Sequence, residues 1–288
     1  MTRKIGAHVS SAGGLEKAVE RAAAIGANCV QVFSGSPRVW QRPDLATVNI
    51  DKVFSKQKEL SIDPIFTHSL YLINLASDNP ELTRKSSEVI NFDLSFDAKV
   101  KGAGIIVHVG SHQGRGWDTV KEQIASLISK ILEKSPPESH FLIENAAGQK
   151  GKIGGDLEEV RWLLDAVKSP QLQWCVDTCH AFASGYSLGK THSASKRERS
   201  LLDEIERLHL EDALACIHVN DSRDPFDSGR DRHDNIGDGS IPPEDLRYFL
   251  HTIKNVPVIL EVPGIEGDGP DAENVARLKR IEKSYDYF

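Results

Sequence analysis

A single (β/α)8 barrel, the TIM-barrel fold, is what this sequence predicts, and three observations predict it. Eight short stretches rich in apolar and β-branched residues recur along 288 residues, each followed by a loop and a helix-like segment. They are spaced irregularly, about 25 to 45 residues apart, with no break in composition, so one domain covering 1–288 is expected. Most of these stretches end on His, Asp or Glu, and a barrel of this kind carries its functional residues at the carboxyl-terminal rim of its strands.

The first strand is expected at 4–9. Behind it Leu15, Val19, Ala22 and Ala23 fall at i, i+4, i+7 and i+8, one apolar helix face, with Gly26 placed to end the helix. Strands at 28–33 and 63–68 follow, with a helix near 45–60 between them, and the second closes on His68. A helix near 80–101 leads to a strand at 104–109 containing His108. Another near 117–134 leads to 140–145, where FLIENAAG is a short apolar strand that ends on Glu144 and opens into small residues. A helix near 156–168 precedes the strand at 173–178 with Asp177, and one near 196–213 precedes 215–220 with His218. The next helix, near 243–254, opens IPPEDL, where proline and acids suit a first turn. The last strand, 257–262, carries Glu261, and a helix near 271–284 follows. A doubly wound open sheet is the alternative, but its GxGxxG fingerprint after the first strand is missing.

Composition narrows the class. Hydrophobic residues at 39% and charged residues at 27% are ordinary for a soluble globular chain. MTRKIGAHVSS lacks the apolar core of a signal peptide and no apolar run reaches membrane-spanning length, so no membrane association and a cytoplasmic location are expected. Cys29, Cys175, Cys179 and Cys216 form no CxxC pair and lie in or just after expected strands, so they are read as reduced core thiols. A net charge of −7 argues against a general polyanion binder.

His68, His108, Glu144, Asp177, His218 and Glu261 lie at the ends of six different strands; His180 follows Asp177 by three residues, and the seventh loop adds Asp231 and His233. Each has a duller reading taken alone: a hydrogen-bonded histidine, a helix-capping carboxylate, a solvated turn. Joint placement on one rim favours metal. Imidazole and carboxylate without cysteine suit zinc, manganese or iron. Nine ligands are too many for one ion, and three ions with bridging carboxylates would use them all. Ions about 3.5–4 Å apart can activate a hydroxide and clamp the oxygens of a phosphate, which makes phosphodiester hydrolysis the best-suited reaction. His8 and His112 lie near the same rim and could orient ligands. His140, His192, His209 and His251 are left structural or unassigned.

The rim loops at 34–43, 109–116, 146–154 and 181–195 contain no Asp or Glu but do contain Arg38, Arg42, Arg115, Lys150, Lys152 and Lys190. A locally basic face in an acidic chain suits a phosphate backbone. Tyr71 and Leu72 lie in a loop after a strand, where apolar side chains could wedge between bases; packing back onto the rim is the alternative.

GAHVSSAGG, HSLYLINLAS, HVGSHQGRG, IENAAGQ, VDTCHAFASGY, HVNDS, DRHDNIGDG and LEVPG, in that order and spacing, closely resemble the endonuclease IV family of apurinic/apyrimidinic endonucleases over nearly the whole chain. The resemblance implies three Zn2+ ions, with manganese or iron admissible at one site. His68 and His108 would hold one ion, with Glu144 bridging to a second completed by Asp177, His218 and Glu261; His180, Asp231 and His233 would hold the third. It implies Glu144 and Glu261 as catalytic, and Arg38, Tyr71 and Leu72 as the residues that penetrate DNA. It also implies a substrate of double-stranded DNA with abasic sites or 3′-blocked ends. Incision would fall 5′ to the lesion, leaving a 3′-hydroxyl and a 5′-deoxyribose phosphate. Val109 and Asp238 stand where the family more often has proline and glutamate, and neither touches the expected chemistry. A monomer is the default expectation. Two alternatives compete. A sugar isomerase or epimerase would need only Glu144, Asp177, His218 and Glu261, and a lesion-binding or metal-storing protein would not cleave.

Overall fold

The computed structural model describes residues 3–189 and 200–283, so Lys190 and His192 lie outside the described residues. Eight strands close into a parallel barrel. They are β1 (Ile5–His8), β2 (Cys29–Phe33), β3 (Ile65–His68), β4 (Ile105–Val107), β5 (Phe141–Glu144), β6 (Leu172–Asp177), β7 (Leu214–His218) and, beyond a two-stranded antiparallel ribbon of β8 (Asp221–Ser222) and β9 (His233–Asp234), β10 (Val258–Leu260). Neighbours run β1-β10-β7-β6-β5-β4-β3-β2, which removes the open-sheet alternative.

Alternation along each strand separates two cores. Outward residues such as Phe141, Ile143, Trp174, Val176, Val258 and Leu260 are buried against the surrounding helices. There they meet Val89, Ile90 and Leu94 of α3 (Pro80–Val100), Val120, Ile124 and Ile128 of α4 (Trp117–Leu132), and Phe249 and Leu250 of α8 (Pro243–Thr252). Inward, Cys29, Phe66, Ile106, Leu142, Cys175, Cys216 and Ile259 form a separate buried layer. Gly6 of β1 is its eighth member: a Cβ there would stand 2.6 Å from both the Cys29 Sγ and Ile259 Cδ1. One residue from every strand thus plugs the barrel. Three of the four cysteines sit in this plug and all four are buried and free, as core thiols should be.

Helices start where side chains can satisfy free N–H groups. Asn79 caps α3, Asp156 caps α5 (Leu157–Val167), and Ser200 with Asp203 forms a capping box for α7 (Leu201–Arg207). The helix expected at 45–60 is broken: a 3-10 turn at Leu45–Thr47 capped by Asp44 ends in extended Val48, and Asn49 restarts the chain as α2 (Ile50–Leu60). The helix expected at 196–213 reduces to α7 and a 3-10 turn at Glu211–Ala213; residues 196–199 are outside the described set. The strand expected at 104–109 stops at Val107, leaving His108 just beyond the ladder. A helix not anticipated from the sequence, α6 (Thr178–Ala183), follows β6 directly.

Candidate metal centre

Two residues beyond each member of the barrel plug, on the same inward face, stand His8, Gln31, His68, His108, Glu144, Asp177, His218 and Glu261. The period of two therefore turns an apolar plug into a polar ring one layer higher, at the carboxyl-terminal mouth. Six of the nine expected ligands belong to this ring. The other three come from the loops above it. Asp177 accepts the His180 N–H at 2.8 Å as the N-cap of α6, which fixes the three-residue step between them. Asp231 and His233 arrive at the edge of the β8–β9 ribbon.

Two amides and one acid outside the expected ligand set hold this ring together, and sequence reasoning passed over them. Asn145 accepts the Asp177 N–H at 2.6 Å and donates to the Asp177 carbonyl at 3.2 Å, joining the tips of β5 and β6. Asn220 donates to Asp177 Oδ2 at 2.6 Å and accepts the Glu261 N–H at 2.8 Å, joining β6, β7 and β10. Buried Asp221 accepts backbone N–H groups from Ser222, Gly237, Gly239 and Ile241, and so ties β8 to the loop that follows His233 and β9. A Cβ at Gly239 would stand 2.4 Å from Asp221 Oδ1, which is why glycine closes that loop.

Glu144 is the hub. It is fully buried, and imidazole nitrogens of His218, His108, His68 and His180 lie 3.0, 3.2, 3.3 and 3.4 Å from its oxygens. His68, His180 and His233 turn Nδ1 to the carbonyls of Ser69, Asn145 and Glu261 at 2.6, 3.1 and 3.2 Å, presenting Nε2 to the centre. His218 is reversed, with Nε2 2.8 Å from Gln31 Oε1. Ligand atoms fall into three groups, each within 4.8 Å: His68 with His108 and Glu144; Glu144 with Asp177, His218 and Glu261; His180 with Asp231 and His233. Cys175 with Cys216 and His218, and Cys179 with Asp177 and His233, also fall within that limit.

The electrostatics ask for cations. Burial would raise the Glu144 pKa, but the imidazoles gathered around it, His108, His218 and His180, hold it well below the usual carboxylate range. Burial would likewise lower the His218 pKa, yet Glu261 and Glu144 raise it to about 10. His180 moves up for the same kind of reason, against its own burial, through Asp177 and Asp231. His108 moves the other way: burial takes it down to about 4, against the pull of Glu144. The buried Nε2 atoms of His180 and His233 have no hydrogen-bond partner, although Asp231 Oδ1 lies only 3.0 and 3.4 Å away. Converging lone pairs without hydrogen-bond geometry are what a bound cation would satisfy.

The centre opens into a cavity of about 350 Å3 lined by His68, Tyr71, His108, His180, Asp231, His233, Glu261 and Pro263. Tyr71 stands 61% and Leu72 40% exposed beside it, while Leu70 and Ile73 are buried, so the loop packs down at two positions and leaves the pair between them outward. Arg38, Lys150 and Lys152 are exposed. Arg42 instead spends its guanidinium on the carbonyls of Ser36, Val39 and Trp40, folding the loop that displays Arg38. Of the two histidines left open, His8 reaches Glu261 Oε1 at 2.9 Å, whereas His112 Nδ1 accepts from Gly114 and Gly116 of its own loop.

Barrel and rim define a TIM barrel whose mouth carries His, Asp and Glu clusters that could bind metal, and residues 19–283 match the xylose isomerase-like TIM barrel family. A probable endonuclease 4 of Persephonella marina is 34% identical over 281 residues, covering 96% of each chain. The endonuclease IV of Thermus thermophilus superposes with a TM-score of 0.82 at 30% identity, over 96% of this chain and 98% of that one. A 3-keto-D-glucoside 4-epimerase of E. coli shares the fold, with a TM-score of 0.69 at 14% identity over 97% and 99% of the two chains. The chain belongs to the endonuclease IV family.

Proposed function

We propose that this chain is a DNA-repair endonuclease that hydrolyses the phosphodiester 5′ to abasic sites, leaving a 3′-hydroxyl and a 5′-deoxyribose phosphate, and that trims 3′-blocking groups. The observation that carries the reading is Glu144, one buried carboxylate approached by four imidazoles from separate elements. A single-ion epimerase needs the Glu144, Asp177, His218 and Glu261 group and has no use for His68, His108, His180, Asp231 and His233 around it.

Three ions, zinc with manganese or iron admissible at one site, would be held by the three ligand groups, with Glu144 shared between the first two. Ions held there would supply a hydroxide at neutral pH and stabilise charge on phosphate oxygens. The chain's own part is to hold Glu144 and Glu261 ionised, to present one nitrogen of each imidazole inward, and to keep the floor of the cavity dry. Tyr71 and Leu72 would enter the duplex and stack where a base is missing, and Arg38 would neutralise a phosphate nearby. The partner is then double-stranded DNA carrying abasic sites or 3′-blocked ends. The enzyme would act as a monomeric, one-domain protein of the cytoplasm; among the described residues no helix is long and apolar enough to cross a membrane.

The test is incision of a labelled duplex with one tetrahydrofuran abasic analogue, without added magnesium, before and after prolonged chelation and zinc restoration. Chelator-sensitive cleavage immediately 5′ to the analogue, restored by zinc, is expected. No cleavage by protein holding three ions would sink the proposal, and one ion per chain would favour the epimerase.

A further inference from the structure

Gln31 is wholly buried in β2, and its amide touches only residues of the rim. Its Nε2 lies 2.6 Å from Glu261 Oε1 and 2.9 Å from His8 Nδ1, and its Oε1 lies 2.8 Å from His218 Nε2. We infer that Gln31 is a positioning residue of the centre, selecting Nδ1 of His218 and Oε2 of Glu261 as the atoms that face the ion. The inference rests on the metal assignment proposed above.

The amide has one chemically allowed orientation here. Turned over, it would set its carbonyl against the Glu261 carboxylate, two acceptors in contact; as it stands, Nε2 donates to Glu261 and the carbonyl is left for His218. A carbonyl can only accept, so His218 Nε2 must carry the ring proton. In the neutral ring that binds an ion the lone pair then lies on Nδ1, which is 3.0 Å from Glu144 Oε1, 3.2 Å from Glu261 Oε2 and 4.0 Å from Asp177 Oδ2, the middle of that four-residue group. His68, His180 and His233 are fixed the opposite way, by backbone carbonyls at Nδ1. For His218 a side chain from a strand across the barrel mouth takes the place of the backbone carbonyl. The same amide, with His8 Nδ1 at 2.9 Å, occupies Glu261 Oε1 and leaves Oε2 turned inward. Position 31 is also one of the eight on the polar ring, so no other side chain can reach both groups from that strand.

Two measurements test this. In zinc-loaded protein labelled with 15N at histidine, long-range proton–nitrogen correlations of His218 (identified by their loss in His218→Gln) are expected to show a protonated Nε2 and a metal-bound Nδ1. A proton on Nδ1 would overturn the inference, and this reading needs no variant at position 31. In the second, Gln31→Met, which keeps the length and removes both polar atoms, is compared with wild type by zinc titration against a chromogenic chelator. One site is expected to weaken about 10- to 100-fold while the others keep their affinity. Wild-type affinity at every site in Gln31→Met would overturn the inference. A wild-type chain holding a single ion, weakened in Gln31→Met, would defeat the three-ion reading and leave Gln31 in its role; a chain holding no ion would defeat both.

Discussion

At the scale of single residues, burial decides what a carboxylate can do. Glu144 is buried among partners that keep it charged, so Glu144→Gln removes the shared charge and leaves four imidazoles without their acceptor. Incision is expected to fall more than about 100-fold, beyond the usual effect of losing a residue that merely orients a ligand; full activity in that variant would refute a bridging role. Asp97 of α3 is the opposite case. It is buried with only the Gly104 N–H donating to it, Oδ2 has no partner, and burial pushes its pKa up to about 7. The unfolded value is about 3.9. A raised folded-state pKa means the folded chain holds the proton more tightly, so this contribution is full below about pH 4 and is lost as pH rises through about 7. The stability of Asp97→Asn relative to wild type should therefore climb by about 2–4 kcal/mol between pH 4 and pH 8, read from urea midpoints. A difference that does not change with pH would show that Asp97 ionises normally.

Among elements, α3 links the site to the loops proposed to meet DNA. Asp93 accepts from Ser34 Oγ and Ser69 Oγ, both at 2.5 Å, and these residues root the loops of Arg38 and of Tyr71 with Leu72. The second loop divides its labour between neighbours. Leu72→Ala removes an exposed side chain and should leave thermal stability unchanged while slowing abasic-site incision about 10- to 100-fold, the scale of one lost stacking contact. Leu70→Ala creates a buried cavity and should cost about 2–5 kcal/mol of stability. Equal stability losses in the two would mean that Leu72 is a packing residue after all. The placement of the ring was largely legible in the sequence, because an ionisable residue at a strand end announces itself by residue type. Gln31 was not, since glutamine is a poor metal ligand and its strand runs on to Phe33; counting two from the plug residue Cys29 finds it. Asn145, Asn220 and Asp221 were hidden in another way, for residues that stitch strand tips show their purpose only when the tips meet. The six residues of α6 are too few to display a helical period, and the DxxH step that starts it is a cap and a proposed ligand pair at once.

For the whole molecule, the arrangement of the centre would make bound ions part of the fold's stability. The proposed ligands come from the ends of β3, β5, β6 and β7, from just beyond β4 and β10, from α6, and from β9 and the loop before it, so they span most of the barrel mouth. Without cations, four carboxylates are pressed together and balanced only by protons on imidazoles such as His218 and His180. An ion that binds the folded chain and not the unfolded one stabilises it by about 4 kcal/mol at a thousandfold excess over Kd. Each kcal/mol moves Tm by roughly 2–4 °C in a domain of this size. Three such ions would then be worth more than about 20 °C, and prolonged chelation should lower Tm by at least half of that, with recovery on adding zinc. Protons compete for the same imidazoles, so the zinc-dependent gain should shrink as pH falls. The measurement is differential scanning calorimetry of chelated and zinc-restored protein at pH 8 and pH 6. A chelated chain melting within about 2 °C of the zinc-restored one would mean that the rim holds itself together by hydrogen bonds alone, with Asn145, Asn220 and Gln31 sufficient to space the carboxylates.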